Sequence, residues 1–297
     1  MWIILGIVSS LFLGIYDILK KSSLKGNAVI PVLFFGSLSS TLIFLLPVLF
    51  SLLYHDASSY FWYIPPANLD EHLLIFLKAI IVAASWIFAY YSLKHLPITI
   101  VSPIRASGPF WTLAGAIIIF GEQLNTLQWI GLLTTLVFYY LFSIAGGKEG
   151  INFAKNKWVF FIILATIIGA ISGLYDKFLI KNIHRLTVQA YFSLYMIVVL
   201  VPILIFTRHQ RGKKSIRFVW RWTIPLIGVV LTLADFAYFW SLSYEESLIS
   251  ILSALRRSSV IYAFGFGAIL FKEINIKSKA LILAGILSGV LLIIFGS

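Results

Sequence analysis

The 297-residue chain has no cysteine and few charged residues, and each shortage excludes common classes of protein. Without cysteine there is no disulfide scaffold, no Cys-ligated metal site and no thiol nucleophile. Charged residues make up 11% of the chain and hydrophobic residues 60%, whereas soluble domains average about 25% charged and about 45–50% apolar. One water-soluble core cannot hide this much apolar surface. The composition therefore predicts a polytopic membrane protein.

Apolar runs long enough to cross a bilayer recur along the whole chain. A membrane helix needs about 20 mostly apolar residues, and ten segments of the sequence approach that length. We therefore predict an all-α membrane protein with ten transmembrane helices. The predicted spans are Trp2–Leu19, Ile30–Tyr54, Leu73–Leu93, Ile98–Phe120, Leu127–Ala145, Trp158–Ile180, Val188–Phe206, Trp222–Leu242, Leu248–Phe271 and Ala280–Phe295.

The distribution of the +12 net charge predicts how the chain is oriented in the membrane. Sixteen of the 23 Lys and Arg residues fall in the loops after helices one, three, five, seven and nine. Four are assigned to the loops after the even-numbered helices: Lys78, Lys177, Lys181 and Arg185. An excess of Lys and Arg marks the cytoplasmic side. The odd-numbered loops are therefore predicted to face the cytoplasm, with both termini outside, in the cell inner (plasma) membrane.

The basic residues form short tracts between apolar runs, which favours membrane lipids over nucleic acid as their partner. The tract Arg208–Arg221 is the richest in positive charge. We interpret it as a topological anchor beside anionic lipid, and a lipid- or nucleotide-binding patch is the alternative.

Two parts of the chain match each other in a way that indicates an internal duplication. The first helix contains Gly14–Asp17, with the letters GIYD, and the sixth contains GLYD at Gly173–Asp176. Arg105 and Arg256 lie 151 positions apart, the same offset that separates the acidic ends of the fourth and ninth helices. Because each copy holds five helices, the second must enter from the opposite side, which makes an inverted-topology repeat. The predicted units are a first repeat at 1–147, a linker at 148–157 and a second repeat at 158–297.

The fourth and ninth helices are rich in small residues and end in Gly121-Glu122 and Lys272-Glu273. In these marks, and in its two five-helix halves, the chain resembles the ten-helix EamA-type members of the drug/metabolite transporter superfamily over nearly its whole length. The resemblance implies a transporter of amino acids, drugs or other small metabolites, and it favours export of amino acids or related compounds. Many EamA-type proteins look cytoplasmic at both termini, the opposite of what the charges here predict. We interpret Glu122 and Glu273 as structural residues that close their helices.

Three arginines, Arg105, Arg256 and Arg257, lie inside predicted spans, where each charge costs about 2.5–3.5 kcal/mol on insertion scales. Arg105 lies between Pro103 and Pro109, which remove two backbone donors and favour a kink. Arg256 occupies the equivalent place in the second repeat, without prolines. A guanidinium that faces a cavity suits a carboxylate or phosphate, so Arg105 and Arg256 are predicted to bind an anionic group of the substrate. The alternative is that each pairs with an internal acid and only holds helices together.

Three aspartates in or near the spans are candidate proton sites. Asp17 and Asp176 are related by the duplication, and Asp235 lies deeper, in the eighth helix. A partly buried carboxylate that takes up a proton would couple transport to the proton gradient. The alternatives are salt bridges of Asp17 and Asp176 with Lys20 and Lys177, and neutralisation of Arg256 or Arg257 by Asp235.

Aromatic residues make up 16% of the chain, and several lie in the middle of predicted spans. An aromatic box for a cation or a planar ligand is one interpretation, and packing of the protein interior is the other. The candidate cavity residues are Tyr16, Tyr175, Trp86, Trp111, Tyr238 and Trp240, with Tyr90 nearby. A GxxxG motif at Gly285–Gly289 would serve either a dimer seam or packing within the chain, so we expect a monomer or a weak homodimer.

An enzyme is not expected, because all five histidines map to loops and the chain lacks HExxH, GxSxG and Walker motifs. No metal or cofactor is expected either. The sequence predicts a secondary active transporter of a small polar metabolite, an amino acid or a related and possibly anionic compound, that works by proton-coupled export. The alternatives are a lipid-linked glycan flippase or its accessory subunit, and an importer of a small organic cation.

Overall fold

A computed structural model describes residues 1–53, 60, 62–98, 101, 104–105, 107–121, 123–147, 156–209, 217–271 and 276–295. Within these ranges the backbone forms eleven α-helices and no strand, as the all-α prediction requires. They are α1 (Trp2–Leu24), α2 (Val29–Leu53), α3 (Leu69–His95), α4 (Gly108–Phe120), α5 (Thr126–Gly147), α6 (Lys157–Asn182), α7 (Arg185–His209), α8 (Thr223–Leu242), α9 (Ile249–Arg257), α10 (Ser259–Phe271) and α11 (Ile276–Phe295). Six of the described helices are long and apolar enough to cross a membrane: α1, α2, α3, α6, α7 and α8. The total of ten spans stays a prediction.

Some helices extend beyond the predicted spans because polar residues form their ends. Helix α3 begins at Leu69 rather than Leu73. Its first turn is closed by a capping box, in which the Glu71 amide donates to the Asn68 side chain at 2.9 Å and the Asn68 amide donates to the Glu71 carboxylate at 2.8 Å. Such reciprocal bonds satisfy amides that have no partner inside the helix. A hydropathy criterion alone excludes these residues, although they stabilise the helix.

The predicted ninth span, Leu248–Phe271, is wrong as one continuous helix, because the chain breaks at Ser258 between α9 and α10. The Ser258 amide donates to the Leu255 carbonyl at 3.1 Å, three residues back rather than four. The Ser258 hydroxyl donates to the same carbonyl at 2.6 Å and lies 3.0 Å from the Ser10 hydroxyl. The serine thus replaces helical bonds by local bonds and by a contact with α1.

The predicted fourth span, Ile98–Phe120, is also shorter as a described helix. Helix α4 begins at Gly108, with a proline in its first turn, where no amide donor is needed. It ends at Gly121, whose φ of 63° is the left-handed conformation that glycine adopts easily. Residues 99–100, 102–103, 106, 122 and 272–275 lie outside the described part of the chain, so Glu122 and Glu273 are not placed.

Helix packing follows the duplication. When α1–α3 are matched with α6–α8, α4 with α9–α10 and α5 with α11, the main contacts occur in exchanged pairs. Helix α1 packs on α8, and its counterpart α6 packs on α3. In the same way, α2 packs on α8, and its counterpart α7 packs on α3. Likewise, α1 packs on α10 as α6 packs on α4, while α5 packs on α11. This exchange is what two similar halves produce when they pack face to face.

The GxxxG motif of α11 is used inside the chain. A Cβ at Gly289 would lie 2.8 Å from the Gly131 carbonyl oxygen of α5, and a Cβ at Gly285 would collide with the Phe138 ring. Close approach of α5 and α11 therefore needs both glycines. The described contacts favour the intramolecular alternative for this motif.

Two lysines lie elsewhere than the sequence indicates. The assignment of Lys78 and Lys177 to loops after even-numbered helices is wrong, because Lys78 lies in α3 and Lys177 in α6, with 2% and 8% of their surface exposed. Lys177 donates to the Ser247 carbonyl at 3.1 Å. Lys20, which the sequence assigned to the loop after the first helix, likewise lies buried within α1. The count therefore changes on both sides, and the sidedness itself stays a prediction.

Basic residues that the sequence assigned to the odd-numbered loops tie helix ends together, and one of them, Lys21, lies in the last turn of α1. Lys21 donates to the carbonyls of Leu93 and Leu96, at 2.8 and 2.9 Å, and Arg221 donates to the Ser22 carbonyl at 2.5 Å. Carbonyls in the last turn of a helix have no partner within the helix, and cations are favourable there. These charges therefore have a structural role besides the topological one.

Candidate functional site

A central cavity of about 150 Å³ lies between helices of both halves of the chain. Helices α1, α3, α4, α6, α7, α8 and α9 contribute to its walls. Its lining is rich in ionisable groups, which are Lys78, Arg105, Asp176, Asp235, Arg256 and Arg257. A cavity with several convergent charged groups inside an apolar protein is the default candidate for a ligand site.

Arg105 reaches the cavity from the segment just before α4. Its Nη1 donates to Asp17 Oδ1 on α1 at 3.2 Å, and Lys20 Nζ donates to the same oxygen at 2.7 Å. Asp17 does not line the cavity itself and lies behind Arg105. One carboxylate is therefore shared by two cations, and its shorter contact is with Lys20.

Lys20 is buried against two tyrosine rings. Its side chain is 2% exposed, and Nζ lies 4.3 Å from the centre of the Tyr16 ring and 5.2 Å from that of Tyr90. The two tyrosine hydroxyls lie 3.3 Å apart. Ring faces attract a cation when water is excluded, so Asp17 and the two tyrosines together stabilise this ammonium. The sequence offered the Asp17–Lys20 salt bridge as an alternative, and the structure contains it.

Arg256 occupies the corresponding position in the second half, at the end of α9. Its Nη2 donates to Asp235 Oδ1 on α8 at 2.8 Å, and its guanidinium carbon lies 3.9 Å from the centre of the Tyr238 ring. The Nε atom is buried and has no hydrogen-bond partner within the described residues. Arg256 thus combines an ion pair, a ring contact and one unsatisfied donor beside the cavity.

Lys78 and Asp176 form a buried ion pair between α3 and α6. Lys78 Nζ also lies 4.7 Å from the centre of the Phe192 ring and 5.0 Å from that of Phe239. The sequence offered Lys177 as the partner of Asp176, and that alternative is wrong. A lysine within the apolar run Ile75–Val82 was the available signal for an internal partner.

We call the eight charged residues of this region the charged cluster. It comprises the six charged lining residues together with Asp17 and Lys20. The cations are Lys20, Lys78, Arg105, Arg256 and Arg257, and the carboxylates are Asp17, Asp176 and Asp235. Each of the three carboxylates contacts at least one cation of the cluster.

A small side pocket of about 20 Å³ adjoins the central cavity between α2, α3, α7 and α8. Both spaces are lined by Trp86, Phe192, Leu231 and Asp235, so Asp235 lies where they meet. The pocket also carries hydroxyl and amide groups. Among these, the buried Ser37 hydroxyl has no hydrogen-bond partner within the described residues.

The aromatic residues predicted to shape the cavity divide into two groups. Tyr16, Trp86 and Tyr238 line it. Three others do not: Trp111 is 42% exposed on α4, the Tyr175 hydroxyl donates to the Leu74 carbonyl at 3.1 Å, and the Trp240 ring lies 4.9 Å from the Arg185 guanidinium. Within the described residues, no group of three His, Asp or Glu side chains is arranged to hold a metal ion.

Comparison with known proteins defines the class of the chain. The model of the EamA-like transporter family matches residues 1–144 and again residues 156–295, so the chain belongs to this family of membrane transporters and contains two copies of its unit. No curated protein matches the sequence. One solved crystal structure superposes with a TM-score of 0.70 at 14% sequence identity and covers 100% of this chain and 99% of its own. At that identity the likeness shows the fold alone.

Proposed function

We propose that the protein is a secondary active transporter that binds a small anionic metabolite in the central cavity and carries it across the inner membrane by alternating access. The observation that supports this most is the convergence of Arg105 and Arg256, one from each repeat, on the same cavity. Family membership supplies the general activity, which is transport. Amino acids and related compounds with a carboxylate are the substrates that the resemblance favours.

Both arginines have a fork of donors that matches a carboxylate or phosphate. Each donates to an aspartate, so a substrate anion would compete with Asp17 for Arg105 and with Asp235 for Arg256. When Arg105 turns to the substrate, Asp17 keeps its ion pair with Lys20. The release of Arg105 therefore costs less free energy. The alternative is that the arginines only hold helices together. In that case the buried Arg256 Nε, which has no hydrogen-bond partner within the described residues, would have no role.

Alternating access follows from the arrangement of the two repeats. We propose that they have inverted topology, with units at 1–147 and 158–297 and a linker at 148–157. The helix ends next to Arg105 and Arg256 support this mechanism, because discontinuous helices at the substrate site are typical of secondary transporters. A rocking motion of one half against the other would open the cavity to each side in turn.

Proton coupling is proposed to act through the carboxylates of the charged cluster, Asp17, Asp176 and Asp235. Asp235 is the foremost candidate because it borders both the central cavity and the side pocket. When a substrate anion takes Arg256, Asp235 loses its cationic partner, and a proton is the partner that the proposal assigns to it in exchange. Proton and anion then cross in the same direction, and the net direction of transport follows the sum of the proton and anion gradients.

The structure gives less support to import of an organic cation. The Tyr238 face, which would line an aromatic box, is already covered by the Arg256 guanidinium at 3.9 Å. The positive charges that surround the cavity would also repel a cation.

A thermal-shift screen of the purified protein tests the proposal, because a ligand that binds the folded state raises the apparent melting temperature. Carboxylates and phosphates should stabilise the wild type. Arg105→Gln and Arg256→Gln should abolish the shift, while Arg208→Gln, a change at an exposed arginine near the end of α7, should preserve it. Stabilisation only by quaternary amines, or only by a polyprenyl lipid, would overturn the proposal in favour of a cation importer or a flippase.

A further inference from the structure

We infer that the side pocket is a binding site for a single Na⁺ ion, which binds together with the substrate anion. The inference rests on the proposed function in one respect, because Na⁺ contacts Asp235 once the anion has taken Arg256 from it. It is carried by the polar atoms that line the pocket, by one buried hydroxyl without a hydrogen-bond partner, and by the size of the space.

The neutral polar side chains of the side pocket keep oxygen acceptors for an occupant, because their donor hydrogens are used elsewhere. The Ser40 and Thr232 hydroxyls both donate to the Gly228 carbonyl at 2.9 Å. The Ser193 hydroxyl donates to a backbone carbonyl of α7 at 2.7 Å, and Gln189 Nε2 donates to the Thr232 carbonyl at 2.9 Å. A hydroxyl that already donates, and the oxygen of an amide, can only accept. Such a set of oxygens suits a hard cation.

Ser37 indicates that the pocket has an occupant. Its hydroxyl is buried, with 6% of the residue exposed, and it has no hydrogen-bond partner within the described residues. A buried hydroxyl that stays unsatisfied costs free energy, and a bound ion would satisfy its oxygen. Asp235 is the one charged side chain among the residues that line the pocket. One carboxylate among neutral oxygens matches a monovalent cation, since sites for divalent cations usually contain more carboxylates.

The size of the side pocket favours a small ion. Its volume of about 20 Å³ holds one particle of the size of a water molecule. Beside it, α2 and α8 are in close contact, because a Cβ at Gly228 would lie 2.7 Å from the Ser39 Cβ and 2.8 Å from the Ser40 amide nitrogen. Helices packed this closely resist any widening of the space between them. The pocket should therefore bind Na⁺ in preference to the larger K⁺.

Binding of Na⁺ and of the anion should be cooperative. Arg256 Nη2 donates to Asp235 Oδ1 at 2.8 Å, so a guanidinium lies beside the carboxylate until an anion takes it. The anion also neutralises the arginine charge that would repel Na⁺. Na⁺ then takes the place beside Asp235 that the proton has in Na⁺-free solution. By linkage, Na⁺ raises the affinity for the anion by the same factor as the anion raises the affinity for Na⁺.

Calorimetry and thermal shift on the purified protein test this coupling, with succinate as the probe anion. Chlorides of Na⁺, K⁺ and choline are compared at pH 8 and equal ionic strength. Succinate should bind at least about tenfold more tightly in Na⁺ than in K⁺ or choline, which is within the usual range of coupling between two sites. The rise in melting temperature caused by Na⁺ should be largest when succinate is present.

Variants of the pocket show where the Na⁺ effect arises. In Ser37→Ala the succinate affinity in Na⁺ should fall about tenfold, towards the value in choline, because the ion loses one oxygen ligand. Gln189→Met removes the amide oxygen at similar volume and should have the same effect. Ser39→Ala is the matched control on α2, since that hydroxyl donates to the Phe35 carbonyl at 3.0 Å and does not line the pocket. Proton uptake with succinate in Na⁺-free solution should be the same in Ser37→Ala as in the wild type.

The outcomes separate the Na⁺ site from the proposed function. Equal succinate affinity in all three salts, or a Na⁺ effect that survives in both pocket variants, would overturn the Na⁺ site while the anion site stands. An effect of methylammonium without an effect of Na⁺ would overturn it too and assign the pocket to an amino group of the substrate. If succinate binds in none of the salts, the anion site fails, and a melting-temperature rise with Na⁺ that Ser37→Ala removes would still support the cation site. Without that rise, both proposals fail.

Discussion

Lys78 on α3 donates to the carboxylate of Asp176 on α6, so a buried ion pair joins one helix of each repeat. The sequence offered Lys177 as the partner of Asp176 and assigned Lys78 to a loop. A buried pair is sensitive to loss of one partner, because the other is left as an uncompensated charge, and much less sensitive to loss of both.

The stability of the Lys78–Asp176 pair should show this asymmetry. We expect Lys78→Met and Asp176→Asn alone each to lower the free energy of unfolding by about 3–5 kcal/mol. The double variant should melt close to the wild type. Melting temperature in detergent measures the effect, with Lys25→Met, at an exposed lysine, as the matched control. Single variants as stable as this control would show that the pair contributes nothing.

Lys20 should act on anion binding through Asp17. In Lys20→Met the Asp17 carboxylate has Arg105 as its remaining partner in the cluster, so Arg105 is held more firmly and succinate should bind about tenfold more weakly. Asp17→Asn/Lys20→Met should restore the affinity, and Lys20→Arg should preserve it. Calorimetry measures both. A lower melting temperature with unchanged succinate affinity in Lys20→Met would mean that Lys20 only stabilises the fold.

Asp235 should take up a proton when an anion binds. Succinate competes with Asp235 for Arg256, and the released carboxylate binds a proton, so we expect uptake of about one proton at most for each ligand bound. The pH change of a weakly buffered protein solution on addition of succinate measures it. Asp235→Asn should abolish the uptake, and Asp70→Asn, at an exposed position in the first turn of α3, should not. Uptake that survives in Asp235→Asn would move the proton site to Asp17 or Asp176.

The glycines of α11 should matter for stability and not for oligomeric state. A leucine at position 285 meets the Phe138 ring, so Gly285→Leu should cost about 1–3 kcal/mol through overpacking. Gly265→Leu is the control, because a Cβ there meets nothing within 4 Å. Melting temperature and light scattering are measured together. A variant that keeps its melting temperature but changes its molecular mass would identify a dimer seam instead.

The natural absence of cysteine allows a direct test of topology. Lys25→Cys lies in the loop after α1 and Glu245→Cys in the loop after α8. In intact cells an impermeant thiol reagent should label position 245 and spare position 25 until the membrane is permeabilised. The reverse pattern would place both termini in the cytoplasm, as in many EamA-type proteins.

Much of the architecture could be predicted because it depends on the composition of the chain, on the length of its apolar runs and on its repeated motifs. Apolar runs of about 20 residues define membrane helices whatever their neighbours are, and the repeated GIYD and GLYD motifs indicated two similar halves. The prolines around Arg105 indicated an interruption in the fourth span. No proline or other local pattern indicated the break at Ser258. This break depends on the hydrogen bonds of the serine hydroxyl with the Leu255 carbonyl and the Ser10 hydroxyl, and a sequence pattern does not show the Ser10 contact.

The sequence by itself determined the membrane class, the duplication and the presence of costly charges in the spans. Only the tertiary structure decided which charges meet: Asp17 with Lys20 and Arg105, Asp176 with Lys78, and Asp235 with Arg256. It also separated Tyr238, which lines the cavity, from Trp240, which does not. Successive helical residues point in directions about 100° apart, so a residue's neighbours depend on how each helix is rotated and packed against the others. That rotation is set by contacts between distant segments, which no local pattern records.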